Sequence, residues 1–570
     1  MTNIYKFLSI SILSLCALCI SAKQPLQRNV VTQKVTPPQK IATVESIIEN
    51  YYVDSVDGEK LAEEGIRAML RTLDPHSTYS NAEETKELTT PLEGNFSGIG
   101  IQFNMLNDTL YVIQTTVGGP SEKVGLQPGD RIISANDSIL SGVGRKNNDI
   151  LKILRGPKGT QVIVKVLRKN EPKPLTFKII RDDIPLYSVD AAYAVNDSTG
   201  YIKVSRFATT TANEVKEALE KFKKNGIKDV IIDLEDNGGG YLDAAVDMAS
   251  LFLPKGSLVV YTEGPKVGRT DYKVTSNPIW ENGRLIVLVN QNSASSSEIF
   301  SGAIQDYDRG VIIGRRTFGK GLVQRPFPFP DGSMVRLTVS KYYTPSGRSI
   351  QKPYEKGEAQ DYYMDIYNRY QHGEFTNADS IHFDDSLKTK TLRNKRTVYG
   401  GGGIMPDVFV PIDTVGNTKY YRELLANGLF NSFVINYIDN NRDKLRKVYP
   451  TPGLFVKEFE ISDNILKEFV NHASKAGVEP IEEQLEESKP LILTILKGLM
   501  GRDLWDMDTY FMITNPEIRP TFNEALDILS SPEKYDSILE GKETVNEKTV
   551  IEENKLQYAL LPLYGVNQFV

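Results

Sequence analysis

Uninterrupted apolar runs that alternate with helical patterns constrain the fold of this chain more than any other feature. The runs at 230–232, 285–289 and 311–313 contain no polar residue, which is typical of strands buried on both faces. A pattern typical of a helix precedes the first run, at 209–226, and two more lie between the runs, at 242–252 and 298–307. This alternation predicts an α/β layered core, in which a further strand at 200–204 takes part.

Residues 93–185 have a different pattern, of short strands separated by turns. Gly98 and Gly100 precede alternating apolar residues, which predicts a glycine loop that leads into a strand. Consecutive backbone N–H groups in such a loop can bind an anion, and the strand that follows can pair with an extended peptide. A small β module that serves only as a scaffold is the alternative interpretation.

The two ends of the chain are predicted to be mostly helical. Helical spacing marks 44–51 and 60–71 near the beginning, and several segments after residue 415. The first of these regions is interpreted as a small helical cap, and no chemical motif is found in the second. The predicted organisation is a signal peptide, an N-terminal helical region, the β module, the α/β core and a helical C-terminal accessory region, with bounds 1–22, 23–92, 93–185, 186–414 and 415–570.

The first 22 residues have the pattern of a secretory signal. Lys6 is followed by an apolar run that ends in Ser21-Ala22. A retained membrane anchor, a buried helix and a lipid-modified cysteine are the alternatives. Cys16 and Cys19 are the two cysteines of the chain, so that cleavage would leave no thiol. We expect export to the cell envelope, and to the periplasm if the source has two membranes.

Charge and histidine content exclude several classes of function. The 67 basic and 73 acidic residues give a net charge of −6, which predicts no nucleic-acid partner. Membrane association is predicted only through an uncleaved N-terminal segment. The four histidines are scattered, and the glycine loop at 237–240 lacks the lysine of a phosphate-binding loop. We therefore predict no metal and no other cofactor.

The segment from 285 to 324 carries the residues with the clearest chemical meaning. A buried strand ends in the small polar turn Ser293-Ala294-Ser295-Ser296-Ser297, and a helix follows. Helix N-termini supply free N–H groups, which suits a serine whose attack generates an oxyanion. Helix capping by the serines is the alternative. A serine needs a base, and Lys320 lies between glycines and near apolar neighbours that would lower its pKa.

Gln324 is the third candidate residue of this site. If 320–324 is extended, Lys320, Leu322 and Gln324 share one face. The Gln324 side chain could then bind the lysine amine and orient it.

With these motifs together, the chain resembles the carboxyl-terminal processing proteases, the tail-specific S41 serine peptidases. The resemblance extends from residue 41 to 412 and rests on the segments LDPHSTY, GIGIQF, GLQPGDRI, NSASSSEI, FGKGLVQ and YGGGGIMPD. It implies an α+β multidomain protein: an α/β layered, crotonase- or ClpP-like protease core, an inserted PDZ domain and a mostly helical C-terminal region.

The resemblance also implies roles for individual residues. Ser295 corresponds to the nucleophile, Lys320 to the general base and Gln324 to the residue that orients it. The oxyanion donors correspond to the backbone of Ser296 and of Gly238 or Gly239. The peptide-binding loop of the PDZ domain corresponds to Ser97, Gly98, Ile99, Gly100 and Ile101.

Three other positions depart from the family pattern or lack an assigned role. The family usually has alanine at Ser296 and arginine at Glu235. Asp306 matches an aspartate sometimes proposed as a third catalytic member. Eleven residues of helix separate it from Ser295 by about 16 Å, so we interpret it as structural. The histidines are interpreted as surface or core residues.

The expected function is an exported serine endopeptidase that cleaves proteins at or near unstructured C-terminal tails. Its expected partners are such tails, with a homo-oligomer or a regulatory adaptor left open. A catalytically silent PDZ adaptor on the same scaffold is the main alternative, and an acyl-ester hydrolase is a second. Cleavage of a peptide with a free apolar carboxyl end would separate them.

Overall fold

The computed structural model describes residues 35–169, 171–542 and 568–569. The predicted signal segment and both cysteines lie outside this part of the chain. The chain divides into two compact units, 1–68 and 69–570. The first contains α1 (Pro37–Tyr51), with proline in its first turn, and most of α2 (Gly58–Arg71), as the helical spacing predicted. Of the helices described, none is long and apolar enough to cross a bilayer.

The segment predicted as a PDZ domain is a small antiparallel β structure. It is preceded by β1 (Thr78–Ser80) and α3 (Ala82–Glu93) and consists of β2 (Asn95–Gly98), β3 (Ile101–Leu106), β4 (Thr109–Thr115), α4 (Pro120–Lys123), β5 (Arg131–Ala135), β6 (Ser138–Ile139), α5 (Asn147–Leu154), β7 (Gln161–Leu167), β8 (Leu175–Ile180) and β9 (Asp182–Pro185). Strands β3, β4, β5, β7 and β8 are neighbours in that order, and β2 pairs with β9 where the chain enters and leaves. Ile101, Ile132 and Val164 lie in its buried core.

The catalytic core predicted at 186–414 contains two larger sheets and a two-stranded sheet, β19-β20. Its elements are β10 (Val189–Ala194), β11 (Thr199–Val204), α6 (Thr211–Lys224), β12 (Asp229–Asp233), α7 (Leu242–Ala249), β13 (Leu258–Gly264), β14 (Gly268–Lys273), β15 (Leu285–Val289), α8 (Ser296–Asp306), β16 (Val311–Gly314), β17 (Leu322–Pro328), β18 (Met334–Tyr343), α9 (Ala359–Gln371), β19 (Lys388–Lys390), β20 (Thr397–Tyr399) and β21 (Val408–Phe409). The main sheet has the order β10-β11-β12-β15-β16-β21, parallel from β11 onward. The predicted layered core is confirmed.

The second sheet brings distant segments to the same place. Strand β18 pairs with β1, β13 and β17. Because β17 follows the loop of Lys320 and β1 follows the LDPHS segment, this sheet joins residues about 250 positions apart.

The C-terminal region is helical, as predicted. Its elements are α10 (Lys419–Ala426), α11 (Leu429–Val448), α12 (Pro452–Glu458), α13 (Asp463–Lys475), α14 (Glu482–Leu504), α15 (Met507–Ile518), α16 (Pro520–Ser530) and α17 (Pro532–Leu539), followed by β22 (Gln568–Phe569).

Alternate residues of the main sheet enter two different hydrophobic cores. Ile232, Val287 and Ile312 pack on the side of α6, α7 and α8. Ile231, Ile286 and Ile313 share a core with residues of the C-terminal helices, among them Phe511 and Phe522. The helical region therefore packs as a layer on the second face of the main sheet.

Candidate active site

The predicted nucleophile lies at the turn between β15 and α8. Ser295 has φ +56° and ψ −113°, and α8 begins at the next residue. A non-glycine residue with positive φ is uncommon and needs support from its surroundings. Gly239 lies against this turn: a Cβ there would come within 2.8 Å of the Ser295 Cβ. The glycine loop and the serine turn therefore fit together only because residue 239 lacks a side chain.

The four serines of the turn differ in what their hydroxyl groups bind. The Ser293 hydroxyl donates to the Leu234 carbonyl at 2.7 Å, and the Ser297 hydroxyl donates to the Asn237 carbonyl at 2.8 Å. The Ser296 hydroxyl donates to the carbonyls of Gly240 and Tyr241, both at 3.1 Å. In the described chain, the Ser295 hydroxyl alone of the four donates to no acceptor.

A buried carboxylate joins the serine turn to the lysine loop. Glu298, in the first turn of α8, accepts the backbone N–H of Ser295 at 2.8 Å and that of Lys320 at 2.9 Å. The same carboxylate accepts the Gly319 N–H and the Thr317 hydroxyl at 2.7 and 2.6 Å. Burial raises the pKa of Glu298 to about 7, against the opposing effect of these hydrogen bonds. The position of Glu298 near the helix start was evident from the sequence, but its role was not.

Lys320 lies in the loop before β17. A Cβ at Gly321 would meet the backbone of Gln351 at 2.8 Å, so that glycine permits the close approach of two chain segments. Burial lowers the pKa of the Lys320 amine to about 8, and the nearby Arg336 charge adds to this effect. The Tyr342 hydroxyl is hydrogen-bonded to the carbonyls of both Lys320 and Ser295. It therefore forms a second link between the serine turn and the lysine loop, in addition to the Glu298 carboxylate.

The Gln324 side chain has a defined orientation. Its amide nitrogen donates to the Leu322 carbonyl and to the Thr338 hydroxyl, both at 3.2 Å. The Thr338 hydroxyl in turn donates to Asp74 at 2.9 Å. Since the amide N–H groups are used, the amide oxygen remains as the acceptor of this side chain. The register shift between Val323 and Gln324 interrupts the simple alternation that the sequence analysis used, and the strand begins only at Leu322.

The predicted oxyanion donors are not equivalent. The Gly239 N–H already donates to the Asn237 side chain at 2.9 Å. The N–H groups of Gly238 and Ser296 have no acceptor among the described residues. Ser296 therefore retains the backbone donor that the family position supplies, while its additional hydroxyl is bound elsewhere.

The LDPHS segment supplies residues that the sequence analysis missed. The Asp74 carboxylate accepts the Ser77 hydroxyl and backbone N–H, at 2.5 and 2.9 Å, as well as the Thr338 hydroxyl. A ring nitrogen of His76 lies 2.9 Å from the Tyr362 hydroxyl. Burial and, second, the charge of Lys320 lower the pKa of His76 to about 3, so that this imidazole lies in the electrostatic field of the lysine. The motif was noted in the sequence, but no role was assigned to it.

Asp306 and Glu235 have structural partners. Asp306 forms a buried ion pair with Arg348 at 2.8 Å, which agrees with its interpretation as structural. Glu235, at the position where the family usually has arginine, binds Arg519 from the C-terminal helices. That arginine also pairs with Asp233 at 2.7 Å. The helical region thus supplies a positive charge to the two carboxylates at the end of β12 and just after it.

The predicted peptide-binding residues divide into two groups. Ser97 and Gly98 lie in β2 and pair with β9, and the Ser97 hydroxyl donates to Asp183 at 3.0 Å. Ile99 and Gly100 form the loop before β3, and Ile101 is the first residue of that strand. Gly100 has φ +73°, and a Cβ there would meet Ile184 at 3.0 Å.

Comparison with known protein families matches four parts of the chain. Residues 198–363 match the model described as peptidase family S41, and 97–179 match a PDZ domain. Residues 16–85 match the N-terminal domain of the activating protease CtpB, and 420–506 match a family of unknown function, DUF8443.

Individual proteins show the same similarity. A probable CtpA-like serine protease of Staphylococcus epidermidis is 36% identical over 315 residues, which are 55% of this chain and 63% of the relative. A protein of the same description from Staphylococcus aureus is 37% identical over 55% of this chain and 62% of its own. The chain thus spans less than two thirds of the length of these curated relatives.

Among solved structures, a photosystem II D1 C-terminal processing protease is 27% identical. The match covers 56% of this chain and 91% of that one, with a TM-score of 0.31.

Proposed function

We propose that this chain, which carries a peptidase S41 domain and a PDZ domain as its motifs predicted, is a serine endopeptidase with a Ser295–Lys320 dyad. Its substrates in this proposal are proteins with unstructured C-terminal tails, which the PDZ domain binds. The pattern of the first 22 residues adds the proposal that the protein is exported to the cell envelope.

One observation carries the assignment of the nucleophile. Three of the four serines in the turn donate their hydroxyl groups to backbone carbonyls. Ser295 is the remaining one, and the Glu298 carboxylate holds its backbone together with that of Lys320. A nucleophile and its base must be held in a fixed mutual geometry, so this shared support favours the pair.

The proposed reaction begins with the neutral amine of Lys320. Since its pKa is lowered to about 8, a substantial fraction is neutral in mildly alkaline solution. The amine takes the Ser295 hydroxyl proton while the oxygen attacks the peptide carbonyl carbon. The N–H groups of Gly238 and Ser296 donate hydrogen bonds to the carbonyl oxygen and stabilise the negative charge that develops on it.

The second half of the reaction reverses these proton transfers. The lysine ammonium gives its proton to the leaving amine, and the peptide C–N bond breaks to leave an acyl-enzyme on Ser295. Lys320 then takes a proton from water, and the water oxygen attacks the ester carbon. The bond between that carbon and the Ser295 oxygen breaks, the lysine ammonium returns its proton to this oxygen, and the acid product leaves. The hydrogen bonds from Gln324 to Leu322 and Thr338 support a role in which its amide oxygen orients the amine through both halves.

The test is cleavage of a peptide with an apolar, free carboxyl end, followed by mass spectrometry. We expect Ser295→Ala and Lys320→Ala to abolish turnover. Ser296→Ala is the matched control, since it removes a neighbouring hydroxyl and keeps the backbone N–H. Undiminished cleavage by purified Ser295→Ala protein, or loss of cleavage only in Ser296→Ala, would contradict the assignment.

A further inference from the structure

One edge of the PDZ sheet, formed by β3, is paired with another segment of the same chain. Strand β22 (Gln568–Phe569) lies beside β3 in antiparallel register, with Gln568 opposite Phe103 and Phe569 opposite Gln102. The other edge of β3 is occupied by β4. We propose that residues 568–569 are an internal ligand of the PDZ domain, which competes with substrate tails for β3. This inference rests on the proposed function in one respect, that β3 is the strand that binds substrate tails.

The edge of a sheet explains why one occupant excludes another. Without β22, the backbone N–H and C=O groups on that side of β3 would have no strand partner in the described sheet. An unpaired edge accepts an extended peptide through the same backbone hydrogen bonds, whatever the peptide sequence. Since β3 has one such edge, β22 and a substrate tail cannot pair with it together.

The register gives the pairing a direction. As the residue number of the tail rises by one, that of its partner on β3 falls by one. The segment therefore runs toward Ile101 and the loop of Ile99 and Gly100. A substrate tail that presents its carboxylate to this loop has to run in the same direction.

The loop of Ile99 and Gly100, toward which β22 runs, can donate backbone hydrogen bonds to a ligand. The carbonyl of Ile99 accepts the Ser121 N–H and hydroxyl, at 3.0 and 2.7 Å, and the carbonyl of Gly100 accepts the Thr116 N–H at 3.0 Å. Both carbonyl groups of the loop are thus hydrogen-bonded to other residues of the PDZ domain. Within 35–169 and 171–542, no acceptor is found for the N–H groups of Ile99 and Gly100. These groups are therefore available to an anionic or carbonyl oxygen of a ligand.

A tethered ligand need not bind tightly to be effective. A segment on the same chain can have an effective concentration on the order of millimolar. Even a weak pairing of two or three residues would then reduce the affinity for an external peptide. The expected consequence is a PDZ domain that binds substrate tails more strongly once residues 568–569 can no longer pair.

The experiment measures binding to full-length Ser295→Ala protein, in which cleavage cannot remove the probe. The probe is a fluorescent peptide with the sequence of residues 561–570, and its Kd is measured by anisotropy. In the test variant, Gln568→Pro and Phe569→Pro remove both N–H groups of β22. The matched control, Glu552→Pro with Glu553→Pro, places the same changes outside the paired segment. Thermal unfolding of all three proteins checks that the fold is retained.

We expect the probe to bind the test variant at least about tenfold more tightly than the parent and the control. Equal Kd values in all three proteins, or no binding of this probe to any of them, would overturn the inference.

A second probe, an unrelated peptide with an apolar free carboxyl end, separates the two proposals. If it binds and the 561–570 peptide does not, tail recognition stands and the internal ligand is refuted. If neither binds, the proposed tail recognition fails as well.

Discussion

The C-terminal helices contact the main sheet and the PDZ domain in two different ways. Against the sheet, Phe511 and Phe522 pack around Tyr201 in a continuous apolar core. Against the PDZ domain, the side-chain contacts include an ion pair of Arg131 with Asp439 at 2.8 Å and a hydrogen bond from Gln114 to the Arg502 carbonyl at 2.9 Å.

The difference between these two contacts indicates which of them can open while the protein stays folded. A buried apolar layer becomes exposed to water only when the protein unfolds. A partly exposed ion pair contributes little free energy and can break while its charged groups are hydrated by water. We infer that the serine turn and the lysine loop belong to the rigid part of the protein. The PDZ domain is joined to the helices by contacts that can open without unfolding the core.

The largest effect on stability is expected from a substitution in the hydrophobic core that the main sheet shares with the C-terminal helices. Phe511 is fully buried against the sheet, so that Phe511→Ala should lower the free energy of unfolding by about 3–5 kcal/mol. Urea unfolding measures this, with the milder Phe511→Leu as the control. A loss below about 1 kcal/mol would show that the helical region is an independent domain, against the fold described here.

The pH dependence of activity tests the environment of the lysine in the rigid part. Burial lowers the pKa of Lys320 to about 8, and the proposed mechanism requires its neutral amine. The value of kcat/KM should therefore rise about tenfold per pH unit up to pH 8 and then level off. Protonation of Glu298, whose pKa is about 7, should make the profile steeper below pH 7. A single inflection near the ordinary pKa of histidine, about 6.5, would instead indicate an imidazole base.

A smaller effect is expected from the contact that orients Gln324. Thr338→Val removes the hydroxyl between Gln324 and Asp74 while preserving the shape of the side chain. We expect kcat to fall about tenfold with little change in KM, because Lys320 is less well positioned. Thr338→Ser retains the hydroxyl and should restore the rate. An equal loss in both variants would assign the effect to packing.

The smallest effect is expected at the polar contact of the PDZ domain. Asp439→Asn removes the partly exposed ion pair with Arg131, which is worth about 0.2–1 kcal/mol. Hydrogen exchange should become up to several-fold faster in β5 and α11, and the difference should vanish at high salt. Asp443→Asn, at an exposed position of the same helix, is the control. A change that also reaches β15 would mean that this contact is part of the rigid core.

The sequence predicted the strands of the core better than their surroundings. The run at 285–289 is a strand with the predicted bounds, because an uninterrupted apolar segment between polar turns has few alternatives. Helix α8 begins at Ser296, two residues before the predicted start. Helical spacing identified the C-terminal helices, but it could not identify their partner, since an apolar face specifies burial and not the surface that buries it.

The candidate site was predictable only in part for the same physical reason. Ser295 and Lys320 lie in motifs with a local pattern, a serine turn before a helix and a lysine between glycines. Asp74 and Thr338 are 264 positions apart and are joined through a hydrogen bond that no local pattern contains. Glu298 was visible as a residue of the first helical turn, but its contact with Lys320 depends on the loop that folds over it.

The most direct test is the reaction of the protein with a fluorophosphonate, which phosphonylates activated serine hydroxyls, followed by peptide mapping. We expect one modified residue, Ser295, with a rate that rises up to about pH 8 and is lost in Lys320→Ala. Ser296→Ala protein should react like the parent. Modification of Ser293, Ser296 or Ser297 in its place, or an unchanged rate in Lys320→Ala, would contradict a nucleophile at this turn that depends on the lysine.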